Sequence, residues 1–142
     1  MDTCFKEYLK QVRDKYKTKD ATEYTYRTSF ENFLKCLNTA CTPHHEGRRE
    51  KKFGAPDFKV FYNGIKVGYI ETKDIGTNLD EELTSEQLHK YSESIDNLIL
   101  TDYCRFILLR NGERILEQSL FTVSELDSTQ FKIPQDRITE FK

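Results

Sequence analysis

The chain has 142 residues, enough for one domain of ordinary size. Its 22 basic and 24 acidic side chains leave a formal net charge of −2, which excludes a protein that grips DNA through general basicity alone. Any basic surface must be local, or be lent by attached domains. No apolar run is long enough for a membrane span or a signal peptide, so a cytoplasmic protein is expected.

Residues from about Thr3 to Lys17 repeat apolar side chains at helical spacing, with Phe5, Tyr8, Leu9, Val12 and Tyr16 on one stripe. After a break at Thr18-Lys19-Asp20, a second helix is expected from about Ala21 to about Leu37. Tyr26, Phe30, Phe33, Leu34 and Leu37 mark its buried face. Asp20 with Glu23 can form a capping box. Glu23 also lies close to the apolar stripe, where a carboxylate needs a partner, so a cap and a functional role stay open for it.

Residues 43–53 are polar and read as a loop. Two strand-like runs follow, joined by Asn63-Gly64. The stretch from Asp74 to Glu82 reads as a loop, and a third helix is expected from about Thr84 to about Leu98, with Ser85 as its cap. Cys104 to Arg110 is nearly all apolar, as a buried strand should be. Asn111-Gly112 turns it into a partner strand from Glu113 to about Gln118. These elements make an α/β domain over residues 1–118, a mixed sheet flanked by helices with a right-handed strand–helix–strand crossover. Residues 119–142 read as a tail or a linker toward a following domain.

Four cysteines, Cys4, Cys36, Cys41 and Cys104, lack the spacing of a disulfide framework, so free thiols are expected. The run Cys36-x4-Cys41-x2-His44-His45 matches no closed zinc spacing, and buried thiols with exposed imidazoles are the plainer reading.

The informative stretch is Gly54 to Lys73. Asp57 follows Pro56 at the start of the first strand, and Glu71-Thr72-Lys73 ends the second. Side chains alternate across a strand, so Glu71 and Lys73 share a face. Two carboxylates and an ammonium at one sheet edge can hold a hard divalent cation and leave room for a water.

Parity adds a condition. A clean two-residue turn at Asn63-Gly64 pairs Tyr62 with Ile65, and counting back pairs Asp57 with Ile70. Paired residues share a face, so Asp57 would then point away from Glu71. An odd-length correction, either a three-residue loop or a bulge, is therefore expected between Asp57 and Glu71.

Pro56-Asp57 with Glu71-Thr72-Lys73 resembles the PD-(D/E)xK phosphodiesterase motif. Gln87 and Tyr91, four apart on one helix face, resemble the helix that accompanies it in the amino-terminal nuclease domains of single-chain restriction–modification enzymes of types ISP and IIG. The likeness extends to Glu23-Tyr24-Thr25-Tyr26-Arg27, to Val67–Gly76 and to Leu98–Tyr103, so it covers roughly residues 20–112. It implies a restriction-endonuclease-like fold, which often has one more strand beside the hairpin that the sequence does not place. It further implies magnesium-dependent cleavage of double-stranded DNA, with manganese able to substitute. The polypeptide would continue into, or associate with, methyltransferase, helicase or specificity domains.

The roles implied follow residue by residue. Asp57, Glu71 and the carbonyl of Thr72 would ligate the metal. Lys73 would orient the attacking water or stabilise the phosphorus centre. Glu23 could hold a second metal or a water, Gln87 would hydrogen-bond the nucleophile or a phosphate, and Tyr91 would pack beneath it. Without metal, one of the clustered carboxylates should titrate high. Arg48, Arg49, Lys51 and Lys52, just before Asp57, either hold DNA phosphates or are simply solvated. Two rivals remain: a repair or junction-resolving nuclease of the same fold, and a non-catalytic module that binds DNA or protein.

Overall fold

A computed structural model describes residues 2–18, 20, 25–39, 41–45, 57–86, 88, 91 and 96–126. Two helices open the chain, α1 (Asp2–Tyr16) and α2 (Arg27–Leu37). Strands β1 (Cys41–His45), β2 (Phe58–Tyr62) and β3 (Ile65–Thr72) follow, then a short helix α3 (Leu79–Glu82). Strands β4 (Asn97–Thr101), β5 (Arg105–Arg110) and β6 (Glu113–Ser119) lead to α4 (Val123–Leu126). The six strands form one sheet in chain order. β3 and β4 run parallel, and every other neighbouring pair is antiparallel. The expected mixed α/β sheet is present.

Its two faces are covered differently. On one, Phe5, Tyr8 and Val12 of α1 and Phe30 and Phe33 of α2 bury against Phe58, Ile70 and Phe106 of the sheet. Aromatic rings do much of the filling: Tyr8 stacks on Phe33 with centroids 4.3 Å apart, and Phe30 meets Phe58 edge-on at 5.9 Å. Each such fully buried ring stabilises the fold by roughly 1.5–3 kcal/mol. On the other face Leu98, Leu100, Ile107 and Leu109 pack with Leu79, Leu88 and Tyr91. Odd and even positions of β4 thus serve opposite layers, as strand alternation requires.

Several expectations are corrected. α2 begins at Arg27, not near residue 21: Thr25 and Tyr26 form a turn, and Tyr26 is the N-cap residue. Glu23, and with it the proposed capping box, lies outside the described residues. Pro43, His44 and His45 belong to β1 rather than to a loop, and β1 pairs with β2 as the additional strand beside the hairpin. A proline is tolerated there because β1 is an edge strand. The third helix does not reach Leu98. Residues 86, 88 and 91 are helical, and Ser85 Oγ accepts from Leu88 N at 3.2 Å as a cap should. Leu98, however, sits in β4, which supplies the parallel partner of β3 in place of the later strand. A continuous apolar run of this length has no period that separates helix from strand. The expected loop after the motif contains α3, whose N-cap Asn78 accepts from Glu81 N at 3.2 Å.

Leu120, Phe121 and Leu126, beyond the boundary drawn at residue 118, are buried in the same core as α1. Residues 127–142 lie outside the described part. Cys4 and Cys36 form a disulfide that joins α1 to α2, so these two are not the expected free thiols. Their separation of 32 residues hid the pair, because helix packing brings them together. The bonded Cys36 sulfur is also removed from any metal site with Cys41, His44 and His45. Cys104 is free and buried, and burial with the nearby Asp102 charge pushes its thiol well up. No helix among the described residues is long and apolar enough to cross a membrane.

Candidate functional site

The β2–β3 hairpin turns on Asn63-Gly64, with φ of 50° and 79°, so both residues are left-handed as a type I′ turn requires. Tyr62 pairs with Ile65 and Phe61 with Lys66, but Val60 pairs with Gly68. Val67 is the extra residue of a bulge. The odd-length correction is present, and the register beyond it, with Phe58 opposite Ile70, sets Asp57 opposite Glu71. Asn97 braces the bulge by donating Nδ2–H to the Val67 carbonyl at 3.1 Å. Gly68 is needed beside it, since a Cβ there would meet the Asn97 carbonyl oxygen at 3.0 Å.

At the open end of this hairpin the charges are buried. Asp57 is 0 % exposed and Glu71 2 %. Glu71 Oε1 accepts from Asp57 N at 3.1 Å, and Lys73 Nζ lies 3.4 Å from Glu71 Oε2. Asp57 stands one residue outside β2, so its carboxylate is not confined to one face. Oδ2 accepts from both the N–H and the hydroxyl of Thr72 at 2.8 Å, and Oδ1 accepts from Arg27 Nη2 at 2.8 Å. Lys73 also faces Glu82 of α3, at 3.6 Å. Buried carboxylates need such partners, because an uncompensated charge in the interior is strongly disfavoured.

Of the residues singled out from sequence, Asp57, Glu71, Thr72 and Lys73 come together. Tyr91 is buried in the aliphatic core on the sheet's second face. Glu23, Gln87, Arg48, Arg49, Lys51 and Lys52 lie outside the described residues. Sequence reasoning missed two participants, Arg27 and Glu82. The signal for Arg27 was a cation in the first turn of a helix, where the macrodipole disfavours it and a carboxylate must compensate. Starting α2 six residues early hid that signal.

The strand end is fixed from both sides. Lys73 N donates to Thr101 O at 2.8 Å, continuing the parallel β3–β4 ladder. The loop that follows is tied down where Gly76 N donates to Asp102 Oδ2 at 3.1 Å. Asp102 Oδ1 in turn accepts from Cys104 N and Arg105 N, so one carboxylate fastens the motif loop to the β4–β5 turn.

Asp57 and Glu71 are the residues here that could hold a divalent cation such as magnesium. Asp57 and Glu71 supply hard oxygens, and magnesium is ordinarily held through one or two carboxylates with waters and substrate phosphates completing its six ligands. Among the described residues no three His, Cys, Asp or Glu side chains gather into a larger cluster. An all-protein cage is not needed for this ion.

No family model and no curated protein matches the chain. Among solved structures, it is similar to a chain of the DrdV–DNA complex determined by cryo-EM, with a TM-score of 0.64 at 23 % identity. That likeness covers 83 % of this chain and 12 % of the other, so the chain spans only a small part of the longer protein. At this identity the likeness speaks for the fold.

Proposed function

We propose that the chain is a magnesium-dependent DNA endonuclease module with a PD-(D/E)xK fold, the cleavage part of a restriction–modification enzyme. The observation that carries the reading is the placement of Asp57 and Glu71, both buried, at one open hairpin end, where Glu71 accepts from Asp57 N and lies beside Lys73. Similarity in fold to part of a protein solved in complex with DNA supports the same substrate class.

Asp57, Glu71 and the Thr72 carbonyl would hold the ion. Strand geometry points that carbonyl toward the edge from which Thr72 N–H reaches Asp57. When bound, magnesium supplies a water of lowered pKa and neutralises charge developing on the scissile phosphate. Lys73, held between Glu71 and Glu82, can donate to that water or to a non-bridging phosphate oxygen. Gln87 and Glu23 would contribute as the motif implies, and Arg48, Arg49, Lys51 and Lys52 would hold phosphates along the backbone. The net charge of −2 makes affinity for DNA a shared property of this module and attached domains.

The test is nicking of supercoiled DNA in magnesium by Asp57→Asn, Glu71→Gln and Lys73→Ala. Each should lower the rate on the order of a hundredfold or more while circular dichroism stays unchanged. Undiminished cleavage by the triple variant sinks the proposal. One observation favours the rival of a non-catalytic module: Arg27 and Thr72 already compensate Asp57 from within the chain. Calorimetry separates the two, since the rival requires that millimolar magnesium and manganese give no heat of binding.

A further inference from the structure

Arg27 opens α2, at the end of the helix where its dipole opposes a cation. Its side chain is nonetheless only 10 % exposed, and Nη2 contacts Asp57 Oδ1 at 2.8 Å. The two oxygens of Asp57 are held in different ways. Oδ2 is fixed by the N–H and hydroxyl of Thr72, at the end of a strand locked into the parallel ladder. Oδ1 is held by a long side chain with several rotatable bonds, reaching in from another element. At Oδ1 a cation can enter by exchange with a side chain, whereas at Oδ2 it would have to part the carboxylate from the strand end. Two positive groups cannot remain in contact with one oxygen in so dry a site without strong repulsion.

Resting on the nuclease reading above, we propose that Arg27 is a displaceable counter-ion: it holds the Asp57 carboxylate in place until a divalent metal ion takes over Oδ1. Metal entry and guanidinium departure are then one exchange. The intrinsic affinity of the two carboxylates for metal is masked by the pair, as any ligand's affinity is reduced when its competent state is a minor one. Arg27 is a positioning residue in this scheme, acting through Asp57.

The exchange is read by calorimetric titration with Ca²⁺ alone on the wild-type chain, Arg27→Met and Arg27→Lys. Arg27→Met should bind about tenfold tighter or more, with Arg27→Lys nearer to wild type. Equal or weaker binding by a folded Arg27→Met overturns the exchange and leaves Arg27 as a brace, with the nuclease reading intact. Heat of binding absent from every form, Mn²⁺ included, overturns both.

Should Arg27→Met not fold, side-chain ¹⁵N NMR of the wild type decides. The Arg27 guanidinium, assigned by its loss in Arg27→Lys, should show hindered rotation without metal and fast rotation once Ca²⁺ saturates. Hindered rotation that persists while the Asp57 and Glu71 carboxyl signals shift overturns the proposal.

Discussion

The chain contains two Asn-Gly hairpins that share a turn and a defect. Asn63-Gly64 and Asn111-Gly112 both carry two positive φ values, and each hairpin has one register shift, at Val60/Phe61 and at Leu108/Leu109. Their open ends differ. β2–β3 ends on Asp57 and Glu71, buried beneath the first turn of α2, whose Arg27 reaches in. β5–β6 ends on Arg105 and Glu117, 2.8 Å apart, with Asp80 and Arg114 joining them on side chains 28–59 % exposed. β6 is an edge strand, exposed along most of its length. Equal local geometry therefore gives ion pairs of unequal weight. Removing one partner of a buried pair leaves an uncompensated charge, whereas an exposed pair is screened by water and salt.

The largest effect should come from Arg27→Met, which should cost roughly 3–5 kcal/mol in a urea midpoint series because Asp57 is left buried and charged. Adding Asp57→Asn should recover much of that loss, a coupling that a double-mutant cycle measures directly. A loss below about 1 kcal/mol would put the two hairpins on the same footing and break the comparison.

The support for Arg27 can be loosened from further away. α2 is fastened to α1 by Cys4–Cys36, which closes a loop across a separation of 32 residues. Cys36→Ser should lower stability by about 3–4 kcal/mol on the chain-entropy account, and dithiothreitol should reproduce the loss in the wild type. An unchanged midpoint under reduction would show that helix packing alone holds α2 over the first hairpin.

Alkaline pH attacks the same side. Burial pushes Tyr26 up to about 12, helped by Cys104, Tyr16 and Asp74, and raises Tyr8, whose hydroxyl donates to Tyr103 O at 2.6 Å. The folded state therefore holds these protons more tightly than the unfolded chain. Their stabilisation is complete below the ordinary tyrosine pKa of about 10 and falls as pH rises above it, the Tyr26 share being lost through about 12. Between those values the unfolded state binds fewer protons, so unfolding free energy must fall with pH. Melting followed by tyrosine absorbance should show ionisation and unfolding together above about pH 10, after a smaller fall that begins at about 8.5, where the unfolded Cys104 thiol ionises and the buried one does not.

A smaller change tests the bulge. Asn97→Ala removes the donor to Val67 O and the acceptor of Arg110 Nε, 3.2 Å away. The cost should be about 1 kcal/mol, with hydrogen exchange accelerated at Val67 and Gly68 but not in β6.

How much of this was readable beforehand depended on whether a local signal existed. Both Asn-Gly turns and the α1 stripe rest on short-range chemistry and were legible. So was the need for a bulge, since a parity count between Asp57 and Glu71 needs only strand alternation; its position at Val67 was not, because Asn97 and the close approach at Gly68 are tertiary. β4 was misread because its apolar centre, Leu98-Ile99-Leu100, is too short to show a period, and no Gly or Pro between Tyr91 and Asn97 marks a boundary. Pro43 disguised β1, since only the sheet's edge makes a proline acceptable there. The Arg27–Asp57 and Cys4–Cys36 pairs are long-range products of helix packing, which no spacing rule contains.

The smallest effect closes the comparison. Arg114 Nη2 donates to Asp80 Oδ1 and lies 3.3 Å from Glu117. Hydrogen bonds from Arg114 first and Arg105 second hold the Asp80 carboxyl below its usual range. A depressed carboxyl contributes stability above its unfolded pKa and loses it as pH falls through the folded value, so any contribution belongs to neutral pH and vanishes in acid. Asp80 is exposed, however, and exposed pairs of this kind are largely cancelled by side-chain entropy and salt. Arg114→Ala should leave the urea midpoint unresolved from wild type at physiological salt, and added salt should not separate them. A loss rivalling that of Arg27→Met would mean that β6 is covered by something in solution, and that its ion pairs are no more exposed than those of the first hairpin.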